Sequence, residues 1–275
     1  MISFPTCKIN IGLRILNQRE DGYHNLVSVF YPVQWCDALE IVRSNEFGFQ
    51  TEGIMINGSN ADNICVKAYN LLQQLYELPP VKMVLLKNIP IGAGLGGGSS
   101  DGAFTLKMLN EFFELHITNG ELKAYALQLG SDCPFFIENK PMFVTGKGEQ
   151  LAPVEINLSG YCIVILYPEI AVNTAWAFQE YSKANNSNSA EDDANNFTIQ
   201  LQQPVSSWKD IIVNDFEAIV IRQHPEIEAL KKQLYASGAL YASMSGSGSA
   251  VYGIFQEKPE QLSFIGNNRS YIGTL

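Results

Sequence analysis

Residues 81–115 read VKMVLLKNIPIGAGLGGGSSDGAFTLKMLNEFFEL. Val81 to Ile89 has the apolar character of a strand. Apolar side chains then recur at 103, 104, 106, 109, 112 and 113, the spacing of a helix that Ser99, Ser100 or Asp101 can cap. Between strand and helix, five glycines fall within the eight residues from Ile91 to Gly98. A strand that delivers bare backbone to a helix start directs amides at whatever lies beyond, which is the local order of a phosphate-binding loop.

Several chemistries use such a loop. Gly92, Gly94 and Gly97 satisfy G-x-G-x-x-G, the dinucleotide fingerprint. However, Pro90 stands at the junction, and Glu111 and Glu114 fall before a second strand could end, where that fold needs an acid about 20 residues on. A Walker loop requires Lys-Ser/Thr after its last glycine, whereas Gly98 is followed by Ser99 and Ser100. A protein-kinase loop is a hairpin accompanied by H-R-D and D-F-G, which this chain lacks. Two readings are left: a loop whose amides and helix dipole face phosphate oxygens, with the Ser99 and Ser100 hydroxyls open to a phosphate or Mg2+, or a plain flexible turn.

The chain has 275 residues, 46% hydrophobic, with 18 basic against 28 acidic residues and a formal charge of -10. That balance argues against a broad surface for nucleic acid, while a small anion needs only amides and one or two cations. Cysteines 7, 36, 65, 133 and 162 are scattered without a C-x-x-C pair, as expected of reduced thiols in a cytoplasmic protein. The N-terminus lacks a basic segment before an unbroken apolar run. The longest apolar run, YCIVILY at 161–167, falls short of the ~20 residues that span a bilayer, so neither export nor membrane insertion is expected.

Outward from the loop, alternation predicts strands within 2–16, 38–44 and 47–53. Apolar positions 64, 68, 71, 72 and 75 predict a helix capped by Asp62 and ended by Pro79 and Pro80. A helix over 119–130 and a hairpin over 141–154 with a Gly-Lys-Gly turn follow. YCIVILYP predicts a buried strand and Thr174 a helix start. The polar stretch 182–196 predicts a mobile surface loop. A helical stretch over 208–238 leads to strands ALYASM and AVYGIF joined by SGSG. The best domain boundary lies near 155.

Other residues stand out less sharply by themselves. Lys8 lies in an otherwise apolar strand and could snorkel to the surface. Tyr23 and His24 follow an Asp-Gly turn, and Asp132 in LGSDCPFF could be an N-cap or an Asx turn.

Taken together, KINIGLRILNQREDGYHNL, PIGAGLGGGSSDGA, LGSDCPFF, NTAWAF, NDFEAIV and MSGSGSAVYGIF, in this order over nearly the whole chain, resemble the 4-diphosphocytidyl-2-C-methyl-D-erythritol kinase family. That family belongs to the galactokinase, homoserine kinase, mevalonate kinase and phosphomevalonate kinase (GHMP) superfamily. DGYH and GLGGGSS are the discriminating pieces.

The resemblance implies a two-domain α+β GHMP kinase. A ribosomal-protein-S5-like N-terminal domain (1–155) would carry the ATP loop, and a ferredoxin-like C-terminal domain (156–275) would complete the active-site cleft. It implies ATP-dependent phosphorylation of the 2-hydroxyl of the cytidylated methylerythritol in non-mevalonate isoprenoid synthesis. By resemblance, Lys8 and Asp132 are the catalytic pair. Pro90, Gly92, Ala93, Gly94, Leu95, Gly96, Gly97, Gly98, Ser99 and Ser100 wrap the ATP phosphates, and Asn63 and Lys87 match positions near adenine. Tyr23, His24, Phe30 and Phe178 hold the cytosine, and Asn10 and Thr174 surround the methylerythritol. Gly246, Ser247 and Gly248 support the phosphate loop.

Mg2+ is implied by the chemistry, with no ligand assigned. A carboxylate within ~3 Å of the hydroxyl can accept its proton, yet an adjacent cation lowers a carboxylate pKa below its usual ~3.9, so Asp132 is expected to orient the hydroxyl more than it abstracts the proton. Ala93 stands where the family often has glycine, Gly102 where it usually has alanine, and Asn173 where serine or proline is commoner. Ala93 tests the backbone most, since a Cβ is excluded from many positive-φ positions. Two competing classes are a homoserine- or mevalonate-type kinase of the same superfamily and a non-catalytic nucleotide-binding protein on the same scaffold.

Overall fold

The computed structural model describes residues 1–184, 192–260 and 268–275. Short β1 (Ile2–Ser3) precedes two strands of 13 residues, β2 (Thr6–Gln18) and β3 (His24–Cys36), then β4 (Ala38–Arg43) and β5 (Gly48–Gly53). Helix α1 (Ile64–Tyr76) leads to β6 (Val81–Lys87), α2 (Gly97–Phe112), α3 (Asn119–Leu129) and α4 (Cys133–Glu138). The hairpin β7 (Met142–Thr145) and β8 (Gln150–Pro153) follows, then β9 (Cys162–Tyr167), α5 (Thr174–Ala184) and α6 (Asp192–Leu201). The chain closes with α7 (Glu217–Gln223), α8 (Pro225–Ala236), β10 (Tyr241–Met244), β11 (Val251–Phe255) and β12 (Arg269–Thr274).

Contacts divide the chain into two compact units that interleave in sequence. One comprises Met1–Lys8, Trp35–Ile91 and Gly96–Lys140; the other comprises Ile9–Gln34, Gly92–Leu95 and Pro141–Leu275. A single cut at 155 does not separate them, because the strands β2 and β3 and the glycine loop each contribute residues to both.

The first unit holds the sheet β1-β4-β6-β5, antiparallel except for the parallel β5–β6 pair, together with α1 to α4. Alternation along β6 buries Val81, Met83 and Leu85, and the same inward register buries Lys87. Two helix starts differ from expectation. Ser59 caps a 3-10 turn at Asn60–Asp62, so Asn63, not Asp62, caps α1, with Oδ1 accepting from the Cys65 amide at 2.9 Å. Helix α2 begins within the glycine run, at Gly97, with left-handed Gly96 as its cap and no side-chain cap at all. Neither serine nor Asp101 caps it, because all three already lie inside the helix.

The second unit holds the sheets β2-β3-β7-β8 and β10-β11-β9-β12 with α5 to α8. Strand β9 is buried along its whole length between β11 and β12, as its apolar run predicts, and β12 is a strand the sequence did not reveal. Leu13, Ile15, Val164, Leu166, Phe216, Val220, Leu234, Met244 and Val251 belong to one core.

The expected helix over 208–238 is broken. A 3-10 turn at Val205–Asp210 gives way to a bridge in which the Leu13 amide donates to Val213 O (2.9 Å) and the Asp215 amide to Leu13 O (2.8 Å). Pro225 then opens α8 separately. Pairing with β2 outweighs local helix propensity there. Within the stretch expected to be a loop, 182–184 end α5 and 192–196 begin α6, while 185–191 lie outside the described residues.

Candidate active site

The backbone of 92–96 alternates in hand. Gly92, Gly94 and Gly96 have φ of +68°, +77° and +69°, whereas Ala93 and Leu95 lie outside the left-handed region. Ala93 is therefore accommodated without strain, at a position that needs no glycine. An alternation of this kind turns successive amides toward one concavity, a nest for an anion.

In the first unit, α2 opens beside this loop. Its first intrahelical bond runs from the Ser100 amide to Gly96 O at 2.9 Å, so the amides of Gly97, Gly98 and Ser99 have no acceptor within the helix. A Cβ on Gly98 would meet nothing within 4 Å, so no protein atom requires glycine there. Gly96 is different: a Cβ would lie 3.1 Å from both Lys8 Cγ and the Phe136 ring, so its bareness lets the lysine stem pass close to the helix start. Gly102, where the family usually has alanine, packs on Ile64, whose Cγ1 would lie 2.7 Å from an added Cβ.

Lys8 on β2 is buried, and its Nζ lies 3.6 Å from Asp132 Oδ2. Burial pushes the Lys8 pKa below its ordinary value, opposed by the Asp132 carboxylate. Asp132 occupies the cap position of α4 without making a cap hydrogen bond, and Ser131 Oγ stands 3.5 Å from its Oδ1. Asp132 is thus the N-cap by position, with a side chain that does not cap the helix.

Lys87, expected near adenine, sits at the centre of a buried ion-pair network. Its ammonium is buried between Asp101 Oδ2 (2.8 Å) and Asp37, and Asp37 Oδ1 also accepts from the amides of Asn88 (2.6 Å) and Ile89 (2.8 Å). Burial opposes the Lys87 charge, but the two carboxylates outweigh it and hold its pKa above the ordinary value. With two carboxyl groups facing one ammonium, burial pushes Asp101 up to about 8, while Lys87 draws it back. Ser100 Oγ and Asp101 Oδ1 are buried and have no hydrogen-bond partner. Asn63 is engaged in capping α1.

Within the second unit, loop residues 93 and 94 are held by the turn at 245–250. Gly94 O accepts from Ser245 Oγ (2.9 Å), and a Cβ on Gly94 would fall 2.0 Å from Ser245 O. Ala93 O accepts from the Ala250 amide (3.1 Å). The turn at 245–250 is braced in turn by Asn214, whose Nδ2 donates to Met244 O and Gly246 O, both at 2.8 Å. Gly246 and Gly248 have φ of +58° and +91°, and Ser247 Oγ is 2.7 Å from Thr174 Oγ1 at the start of α5.

Asn10, expected beside substrate, is buried in this bracing. Its amide donates to Ser245 Oγ (3.1 Å), its Nδ2 to Ser28 Oγ (3.0 Å), and its carbonyl accepts from the Tyr252 hydroxyl (2.8 Å).

Of the four residues expected at the cytosine, His24 and Phe178 are brought together, stacked at 5.5 Å and 15°. Phe178 stands edge-on to Phe216 at 4.8 Å. Tyr23 is 57% exposed, with the Lys147 ammonium 4.7 Å over its ring, and Phe30 is buried on β3.

Uncapped helix amides next to a lysine–carboxylate pair have the chemistry to receive an anion, and comparison with known proteins gives the chain a family. The GHMP kinases N terminal domain model matches residues 63–140, and the GHMP kinases C terminal model matches 201–269. The chain is a GHMP kinase.

Similar proteins include the 4-diphosphocytidyl-2-C-methyl-D-erythritol kinase of Bacteroides fragilis, 47% identical over 270 residues and covering 96% of each chain. That of Parabacteroides distasonis is 48% identical over 259 residues, covering 94% of this chain and 93% of its own. Among solved structures, a 4-(cytidine 5'-diphospho)-2C-methyl-D-erythritol kinase superposes with TM-score 0.82 at 28% identity, covering 100% of this chain and 98% of that one. The Methanococcus jannaschii mevalonate kinase superposes with TM-score 0.74 at 15% identity over 100% and 98%, a likeness of fold alone.

Sequence reasoning missed several residues of this GHMP kinase. Asp37 and Asp101 were legible in principle, since a lysine at an inward strand position demands counter-charges. Ser182, one helical turn beyond Phe178, hydrogen-bonds His24 and carried only its i+4 spacing as a signal. Ser28, Asn214 and Ser245 act across long sequence separations, with no local pattern to mark them.

Proposed function

We propose that this kinase transfers the γ-phosphoryl group of ATP to the 2-hydroxyl of 4-diphosphocytidyl-2-C-methyl-D-erythritol, in the cytoplasm, as a step of non-mevalonate isoprenoid precursor synthesis. The observation that carries the reading is that Gly96, by lacking a Cβ, brings the uncapped start of α2 and the Lys8–Asp132 pair together. The printed names of relatives at 47–48% identity support the substrate. Five free cysteines agree with the location, and no helix among the described residues is long and apolar enough to cross a membrane. The division 1–155 and 156–275 is proposed as one of family modules, with one matched model on each side of it.

In this reading the amides of Gly97, Gly98 and Ser99 and the nest at 92–96 receive phosphate oxygens. Asp132 orients the attacking hydroxyl and accepts its proton as transfer proceeds, and Lys8 offsets charge building between nucleophile and phosphoryl group. His24 and Phe178, with Tyr23 and Phe30, receive the cytosine; Thr174 and Asn10 flank the methylerythritol.

Among the described residues no cluster of three or more His, Cys, Asp or Glu could hold a metal ion. The donors present, the Ser99 and Ser100 hydroxyls with the orphaned Ser100 Oγ among them and the Asp132 carboxylate, suit a Mg2+ that rides on the ATP phosphates and neutralises their charge.

An ADP-release assay with ATP, Mg2+ and the cytidylated alcohol tests the proposal. Turnover there, with none on mevalonate or homoserine, is the expected outcome; ATP binding without turnover would reduce the protein to a nucleotide binder. His24→Ala should raise KM for the cytidylated substrate and spare that for ATP.

A further inference from the structure

Thr174, Phe178 and Ser182 are spaced by four residues along α5 and share one face of the helix. Ser182 Oγ donates to Phe178 O at 3.0 Å and lies 3.1 Å from His24 Nε2. A hydroxyl has one proton. With that proton on the Phe178 carbonyl, Ser182 can only accept from His24, which places the imidazole proton on Nε2. In the other tautomer Ser182 must donate to Nε2, and its bond to Phe178 O is lost, leaving one hydrogen bond where there were two.

The ring is also held against turning over. Phe178 stacks on one face of it, and Tyr181 stands edge-on at 6.3 Å and 87°. Burial lowers the His24 pKa, which favours the neutral ring. Nδ1 makes no hydrogen bond among the described residues and is not among the sealed, unsatisfied atoms, so it stays open to a ligand.

We propose that Ser182 is a positioning residue that fixes the His24 tautomer and so makes the Nδ1 lone pair the group that selects a base edge carrying an amine. The inference rests on the reading of His24 as a base contact. Cytosine offers its exocyclic N4 amine as a donor, whereas a uracil-type base has only a carbonyl acceptor at that position, and a lone pair facing a carbonyl repels. Selection between the two nucleotides then follows from a serine that touches neither.

Nitrogen NMR of the full-length protein labelled at its three histidines, assigned with single His→Gln variants, reads the tautomer directly. Wild-type His24 is expected to carry its proton on Nε2, and cytidine diphosphate to move the Nδ1 signal. Cytidine diphosphate should bind about tenfold more tightly than uridine diphosphate, the worth of one well-placed hydrogen bond. Ser182→Ala should give mixed tautomers and narrow that ratio to about threefold, with KM for ATP unchanged, and Ser182→Thr should restore both the tautomer and the ratio. A proton on Nδ1 in the wild type, or an unchanged tautomer in Ser182→Ala, overturns the assignment of Ser182. An Nε2–H ring whose Nδ1 is unmoved by cytidine diphosphate instead overturns the base contact, and with it the functional reading of His24.

Discussion

Lys8 Nζ stands 3.6 Å from Asp132 Oδ2, with side-chain exposures of 4% and 30%: a buried cation facing a carboxylate that still reaches solvent. The pair is asymmetric. The lysine bears the desolvation, and the carboxylate keeps an open edge.

Asp132→Asn should therefore cut kcat by about 10²- to 10⁴-fold, the usual range for a positioned acid–base group, with ATP affinity unchanged by calorimetry. A variant retaining more than about a tenth of the wild-type rate would exclude Asp132 from proton transfer.

Lys8 has a folded pKa below that of the unfolded chain, so the folded state prefers it neutral. Its ionisation weighs against folding below the folded pKa, and this penalty is relieved as pH rises toward the unfolded value. If the ammonium is the active form, kcat should fall on an alkaline limb that lies below the ~10.4 of a free lysine. Lys8→Met should abolish activity yet leave the fold unchanged or more stable by up to about 2 kcal/mol in urea titrations, because the partner left behind keeps its contact with water.

The Lys87 triad gives the opposite result on truncation. Asp37 and Asp101 are both buried, so Lys87→Met leaves unpaired carboxylates and should cost about 3–5 kcal/mol. For Asp101, held near 8 against ~3.9 unfolded, the stability contribution is complete below the unfolded value and is lost as pH rises through the folded one. Wild-type Tm should therefore fall between about pH 4 and 8, and the slope should flatten in Asp101→Asn.

Two glycines of the loop should separate stability from binding. Gly98→Ala meets no protein atom and replaces a poor helix former, so it should stabilise the fold by up to about 1 kcal/mol while raising KM for ATP. Gly94→Ala drives a Cβ into Ser245 O and should destabilise the second unit as seen by hydrogen exchange along 245–250. Unchanged ATP affinity in Gly98→Ala would mean that the space beside Gly98 is not occupied by phosphate.

How much of this was legible in the sequence depended on range. β6, the glycine loop and β9 announced themselves through local alternation and composition, and the resemblance supplied the pairing of Lys8 with Asp132 across a long separation. The start of α2 was misplaced because serine and aspartate are strong caps in general, whereas here the αL conformation of Gly96 opens the helix without one. The helix expected over 208–238 failed at 214, where Asn214 braces a distant turn and β2 bridges the backbone, both tertiary demands with no local trace. Asn10 matched the family motif but is engaged with Ser28 and Ser245, which shows that a motif match gives a residue's position and leaves its contacts open.

The alternating backbone of 92–96 also sets which letters the loop can change. A saturation library over these five positions should return a comb of tolerance: substitutions at 92, 94 and 96 fail for reasons of backbone hand, while 93 and 95 accept small or apolar residues limited only by the space around them. Alanine at 93 is then a neutral spelling of the same loop, and drift along this segment is confined to every second residue.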